Sequence, residues 1–251
     1  MKNQLLILIL FFLFSDCSNN PKQVEQPKIS KSATIAPESK KVPKVEVSYF
    51  KTSRGILLGF QPRHLKVNFT TNRPFESDNI YFSVAGAFTS KEKSVDGLAI
   101  ENGNKKNTSL NKFLNGFVEI ENGKIVFHKF NDSLIEEISK KVISSKGSLF
   151  QQQLLITDSK INECKLFGNK INTRRALAEI KGMDFVIQSI ENITIKDFQI
   201  ALQEISVSNA IYLDMGSWSE GWFIDSYNKK QSLGDNFANT QNQKSWIIFQ
   251  K

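Results

Sequence analysis

The residues best equipped for chemistry lie between Asn209 and Trp222, in the run Asn-Ala-Ile-Tyr-Leu-Asp-Met-Gly-Ser-Trp-Ser-Glu-Gly-Trp. Two carboxylates, Asp214 and Glu220, enclose Gly216, Ser217 and Trp218, and Trp222 follows directly. Aromatic planes beside carboxylates suggest a sugar-binding surface, because an indole presents a broad apolar face with a polar edge. The plainer alternative is a strand end capped by an aspartate, with two tryptophans packed beneath a loop. Other chemistries find few residues to work with. His64 and His128 are the only imidazoles, and no Cys-x-x-Cys or His-x-x-x-His spacing occurs, so neither a zinc site nor a thiol protease is indicated. Cys164 reads as a buried or partly buried bystander. No metal or cofactor is implied, and no nucleic-acid motif accompanies the formal charge of +8.

These residues need a scaffold, and the pattern supplies one. Ala210 to Leu213 is a short apolar run suited to a strand buried on both faces, and it stops at Asp214. Met215 to Trp222 then reads as an irregular loop lining a pocket. Upstream, Thr194-Ile-Lys-Asp197 is a capping box opening a helix with Ile195, Phe198, Ala201, Leu202 and Ile205 inward. Arg174 to Ile180 and Met183 to Ile190 flank Lys181-Gly182 as a hairpin. Strand, helix and strand make a crossover unit, which puts Asp214 beyond a carboxyl end, where ligands collect in such sheets.

The first half of the chain is β-rich. Val45–Phe50, Gly55–Phe60, Leu65–Phe69 and Ile80–Ala85 are strand candidates. Asn102-Gly103 and Asn122-Gly123 each follow an apolar strand and predict two-residue hairpin turns. A helix over Ser133–Ser144 is capped by Asn131 or Asp132, and Leu149 to Thr157 reads as one further strand. The expected fold class is α+β: a mixed, largely antiparallel sheet with at least two packed helices in a single domain over 45–251.

The preceding residues belong to another regime. Lys2 followed by the apolar run Leu5–Phe14 reads as a secretory signal over 1–16. Ten apolar residues span only about half a bilayer, which disfavours a retained transmembrane helix. Cys17 directly after that run resembles a bacterial lipoprotein signal, with Cys17 as the lipidated first residue of an exported, membrane-anchored protein. Ser18–Lys44 carries four of the six prolines and half of the +8 charge, so residues 17–44 read as a disordered tether, solvated or attracted to anionic headgroups.

Five motifs, in order, resemble the phosphodiester glycosidase family. They are Ser83-Val-Ala-Gly-Ala-Phe88, Gly97-Leu-Ala-Ile-Glu-Asn-Gly103, the Asn115-Gly-Phe to Glu121-Asn-Gly123 hairpin, Asn172-Thr-Arg-Arg-Ala176 and Asn209-Ala-Ile-Tyr-Leu-Asp214. The resemblance covers roughly Tyr49 to Phe223. It implies an active site lined by Asp214 and by Arg174 or Arg175, with Gly86 near the substrate, where a sugar 1-phosphodiester is split at the anomeric carbon. This chain departs at Val84, where the family carries asparagine, and at Met215-Gly-Ser-Trp-Ser219, where the family carries a glycine-rich run.

The implied chemistry suits the residue types. An arginine fork holds two phosphate oxygens at once. Strand alternation admits only one of Arg174 and Arg175 to a pocket, and Arg175 is the preferred one. Glycosyl cleavage needs a carboxylate at the anomeric carbon and a second for the proton or the water, roles open to Asp214 and Glu220. Glu220 reads equally well as a solvated loop residue. Gly216, Ser217, Trp218 and Trp222 would contact the sugar, although core packing is the commoner use of a tryptophan. The implied partners are a glycan or sugar phosphodiester and, through the anchor, a membrane; the competing hypothesis is a non-catalytic carbohydrate-binding or structural lipoprotein.

The leader makes a prediction of its own. Cys17→Ser abolishes labelling by a fatty-acid analogue and releases a soluble or uncleaved precursor. Membrane retention without any labelling of the wild type would contradict the lipid anchor.

Overall fold

The computed structural model describes residues 42–77, 79–164, 168–216, 219–234 and 240–251. Cys17, the expected leader, the expected tether through residue 41, and Ser217 and Trp218 lie outside the described residues. The described residues form one compact unit.

The fold is α+β, rich in strands. β1 (Lys44–Thr52) and β2 (Gly55–Arg63) form a long antiparallel hairpin, followed by β3 (Lys66–Thr70) and β4 (Ile80–Ala85). Both Asn-Gly turns form. Asn102 and Gly103 take φ of 50° and 77° between β5 (Ala99–Glu101) and β6 (Asn104–Asn107). Asn122 and Gly123 take 52° and 81° between β7 (Gly116–Glu121) and β8 (Lys124–Lys129). Positive φ at both central positions is what a two-residue turn compatible with strand twist requires. Helix α1 (Asp132–Ser144) is capped by Asn131, whose Oδ1 accepts from the backbone N–H of Ser133 and Leu134.

The expected strand over Leu149–Thr157 is two strands in two sheets, β9 (Ser148–Gln152) and β10 (Leu154–Thr157). The break falls at Gln153. The Gln152 side chain accepts from Gln153 N at 2.8 Å, and Asn115 Oδ1 accepts from Leu154 N at 2.6 Å. Side-chain amides thus replace ladder bonds while the chain changes sheet.

After β11 (Lys160–Ile161), β12 (Arg175–Ile180) and β13 (Met183–Ser189) form the hairpin closed at Lys181-Gly182. Helix α2 (Ile195–Glu204) starts at Thr194, whose hydroxyl accepts from Asp197 N at 3.1 Å. β14 (Val207–Leu213) returns the chain to Asp214. The chain then adds β15 (Gly221–Ile224), β16 (Lys230–Leu233) and β17 (Trp246–Gln250). The expected loop over Met215–Trp222 is therefore shorter than its composition suggests, because Gly221 and Trp222 pair with Val84 and Ser83 of β4.

Three sheets result, ordered β1-β2-β13-β12-β14-β10-β11, β16-β15-β4-β17-β3 and β6-β5-β9-β7-β8. Every named pairing among the described strands is antiparallel. β13 and β14 both flank β12 and so run parallel to each other, with α2 as their crossover.

One core is shared by all three sheets, with Phe60, Leu177 and Ile211 from the first, Phe82 and Phe249 from the second, and Val118 and Phe150 from the third. Phe82 stacks on Phe249 at 4.3 Å, and Phe69 on Phe150 at 5.0 Å, bridging the second and third sheets. Helix α2 covers the other face of the first sheet with Phe198, Ala201 and Leu202 against Ala176, Ala178 and Tyr212. Alternation on β12 therefore decides which side chains point into the shared core and which point under α2. Among the described residues no helix is long and apolar enough to cross a membrane.

Candidate functional site

The ends of the strands around Asp214 are welded together. The Asp214 N–H donates to the Gly86 carbonyl at 2.8 Å, and the Gly86 N–H donates to the Ser245 carbonyl at 3.0 Å. The carboxyl end of β14 in the first sheet is thereby joined to the end of β4 and the entry to β17 in the second. Gly86 acts here as a spacer, since a Cβ would stand 3.1 Å from Ser245 Oγ and 3.4 Å from the Trp246 backbone. Its contribution is to hold Asp214 in place.

Asp214 is 8% exposed. Its Oδ1 accepts from Gly216 N at 3.0 Å. Burial pushes its pKa up to about 6, although the Gly216 and Met215 N–H groups and the charge of Arg175 all favour the carboxylate. A carboxyl group poised near neutrality at the end of a strand suits acid–base or electrostatic work.

Arg175 begins β12 on the face that continues through Leu177 into the shared core, and it is fully buried. Its Nε and Nη2 donate to Gln188 Oε1 at 2.9 and 2.6 Å. Nη1 is buried with no hydrogen-bond partner among the described residues. Burial lowers its pKa to about 10, against the opposing influence of Tyr212 and Asp214, so the guanidinium stays charged at neutral pH. A buried cation with an unpartnered Nη1, electrostatically coupled to a carboxylate, is costly to fold.

Gln188 was not singled out from the sequence, yet the hairpin register points to it. Counting outward from Lys181-Gly182 brings Arg175 opposite Gln188. The glutamine run Gln151–Gln153 carried a second such signal, three consecutive amides continuing an apolar strand. Gln152 Nε2 and Gln243 Nε2 are buried without partners, like Arg175 Nη1. Gln152 ends β9, and Gln243 shortly precedes Trp246, which pairs with Ala85. These three atoms, unpartnered among the described residues, are all N–H donors.

A cavity of about 340 Å³ opens beside this end, lined by Leu58, Asn172, Thr173, Gln188, Gly216 and Ser219 among others. A larger hollow of about 720 Å³ lies at the other end of β4 and β17, by Glu76, Tyr81 and Lys251. The smaller cavity is the better candidate, because it adjoins Gln188, the partner of the buried charge, and Gly216, the partner of Asp214.

The structure gives three of the expected site residues other partners. Arg174 faces the α2 layer, where its Nε, Nη1 and Nη2 donate to the Ile193 carbonyl, the Tyr212 hydroxyl and the Lys170 carbonyl. It fastens the segment entering β12. Glu220 is ion-paired with Arg73, whose Nη2 also donates to Thr240 Oγ1. Trp222 is a buried residue of β15 with Lys230 Nζ 4.9 Å from its ring centre. Ser217 and Trp218 lie outside the described residues.

Val84 is fully buried in the shared core, so an apolar side chain stands where the resembled family has an amide. The Cys164 thiol is pushed up to about 11 by burial, too high to act as a nucleophile. No cluster of three or more His, Cys, Asp or Glu side chains suited to a metal occurs among the described residues.

No protein-family model matches this chain, and neither does any curated protein. Solved structures do. The catalytic domain of zebrafish N-acetylglucosamine-1-phosphodiester alpha-N-acetylglucosaminidase, auto-inhibited by its pro-peptide, superposes with a TM-score of 0.56 at 13% identity, covering 84% of this chain and 83% of that one. The fold resembles that of a phosphodiester glycosidase. A hypothetical protein from Synechocystis superposes with a TM-score of 0.58 at 9% identity over 82% of this chain and 62% of that one. At these identities the likeness concerns the fold alone.

Asp214 yields a stability prediction. Its folded pKa of about 6 lies above the usual 3.8, so the folded state holds the proton more tightly. The associated stability is complete below about pH 4 and is lost as the pH rises through 6, a loss of about 3 kcal/mol from a shift of roughly two pH units. Asp214→Asn is therefore more stable than wild type at pH 8 by up to that amount, and the gain vanishes near pH 4. Urea denaturation at both pH values checks this; an equal difference at both would show that Asp214 titrates normally.

Proposed function

We propose that the domain hydrolyses a sugar 1-phosphodiester, releasing a free sugar and a phosphomonoester. The observation that carries this reading is the buried Arg175 guanidinium, with Nη1 unpartnered and its charge coupled to Asp214. Phosphate oxygens are the natural acceptors for such a fork, and charge-assisted bonds of this kind are about twice as strong as neutral ones. In the reaction the bond between the anomeric carbon and the phosphate oxygen breaks, and its electron pair leaves with the oxygen. Arg175 stabilises the departing phosphomonoester. The Asp214 carboxylate faces the positive charge developing at the anomeric carbon, where water adds and releases a proton.

Engagement of Glu220 by Arg73 is compatible with this chemistry. A sugar or alcohol leaving group needs a proton from a second carboxylic acid, whereas a phosphate ester leaves as an anion. One carboxylate and one guanidinium are then sufficient. The Asp214 pKa of about 6 places the rise of activity near that pH, as the carboxylate forms. The leader and Cys17 support an exported domain held at a bacterial membrane by a lipid anchor and the basic tether.

Complete burial of Arg175 and the apolar Val84 favour a second reading, a non-catalytic carbohydrate-binding lipoprotein on the same fold. Turnover of a panel of N-acetylhexosamine 1-phosphodiesters, followed by reducing-sugar release, separates the two. Asp214→Asn lowers kcat by about three orders of magnitude, roughly 4 kcal/mol, with the fold intact. Arg175→Lys chiefly raises KM, because a point charge replaces a fork. Sugar binding without turnover of any member would favour the second reading, and turnover that survives Asp214→Asn would show that another carboxylate acts.

A further inference from the structure

Arg175 is fully buried, and two of its donors are already occupied by one atom, Gln188 Oε1. That arrangement is the one a phosphate oxygen would adopt, with a single acceptor bridging Nε and Nη2 along one edge of the guanidinium. Gln188 is nearly buried and at the same time lines the 340 Å³ cavity. Gln188 therefore touches both the charge and the space from which a ligand would arrive.

We propose that Gln188 is a displaceable stand-in for the substrate phosphate, holding the Arg175 fork closed until an oxyanion takes its place. The inference rests on reading this pocket as a phosphate site. Without Gln188, a fully buried guanidinium would lack any side-chain acceptor on that edge, a costly state for a folded protein. A neutral amide relieves part of that cost and remains weaker than an anionic oxygen, so it yields to phosphate and to little else. Nη1, without a partner in the closed arrangement, supplies the extra bond that favours the exchange. Gln188 is thus a specificity-determining residue: a neutral sugar gains nothing from displacing it, whereas a phosphodiester gains the whole fork.

The competing account makes Gln188 a positioning residue that must stay on Arg175 for binding to occur. The two accounts differ in sign. Inorganic phosphate is titrated by calorimetry into the purified full-length protein and its variants, with circular dichroism as the folding control. Gln188→Ala binds phosphate at least fivefold more tightly than wild type, and adding Arg175→Met to that variant removes the gain. Gln188→Glu keeps an acceptor on Arg175, and therefore the fold, but pins the fork with a carboxylate and binds phosphate at least fivefold more weakly. Unchanged or weaker binding by folded Gln188→Ala, or unchanged or tighter binding by Gln188→Glu, overturns the proposal, as does a gain that persists without Arg175. If the tightening appears while wild type turns over no phosphodiester, the hydrolase reading fails and the stand-in remains. If wild type turns over phosphodiesters while Gln188→Ala binds phosphate more weakly, the stand-in fails and the hydrolase reading remains.

Discussion

Burying the Arg175 guanidinium is the constraint on which the rest of this site depends. A charge removed from water at the end of an apolar core is tolerated only if neighbouring groups replace part of its hydration. Here the replacements come from Gln188 Oε1, directly opposite on β13, and from the charge of Asp214 beyond the end of β14. Neither saturates it, since Nη1 keeps no partner.

The scaffold is arranged to maintain that state. Three antiparallel sheets share one core, and strand ends of the first two are tied by the bonds from Asp214 N to Gly86 O and from Gly86 N to Ser245 O. These backbone bonds fix Asp214 without using its carboxylate, which is engaged locally by the N–H groups of Met215 and Gly216. Burial then raises the carboxylate's pKa while it lowers that of the guanidinium. One low-dielectric environment acts on two opposite charges, and each partly compensates the other.

Features that depend on a few neighbouring residues were legible in the sequence. Asn102-Gly103, Asn122-Gly123 and Lys181-Gly182 specify their turns through positive φ, and Asn131 and Thr194 cap their helices with their own side chains. The position of Asp214 beyond a strand followed from the abrupt end of an apolar run. Long-range pairing was not legible. Nothing near Glu220 announces Arg73, 147 residues away, and nothing in Leu149–Thr157 tells that the chain changes sheets at Gln153. Arg174 and Arg175 are neighbours of the same type, and alternation separates them only once the two faces of β12 are known to meet α2 and the shared core. Gln188 was within reach through hairpin register, because its role depends on one partner across one turn.

In the proposed chemistry Arg175 and Asp214 address the two ends of one bond, the phosphate and the anomeric carbon. A crystal structure of the protein with an N-acetylhexosamine 1-phosphate bound tests it most directly. The account predicts a phosphate oxygen in hydrogen-bond contact with Arg175 Nη1 and the anomeric carbon facing the Asp214 carboxylate. A ligand seated in the hollow by Glu76, Tyr81 and Lys251, with the Arg175 guanidinium untouched, would contradict it.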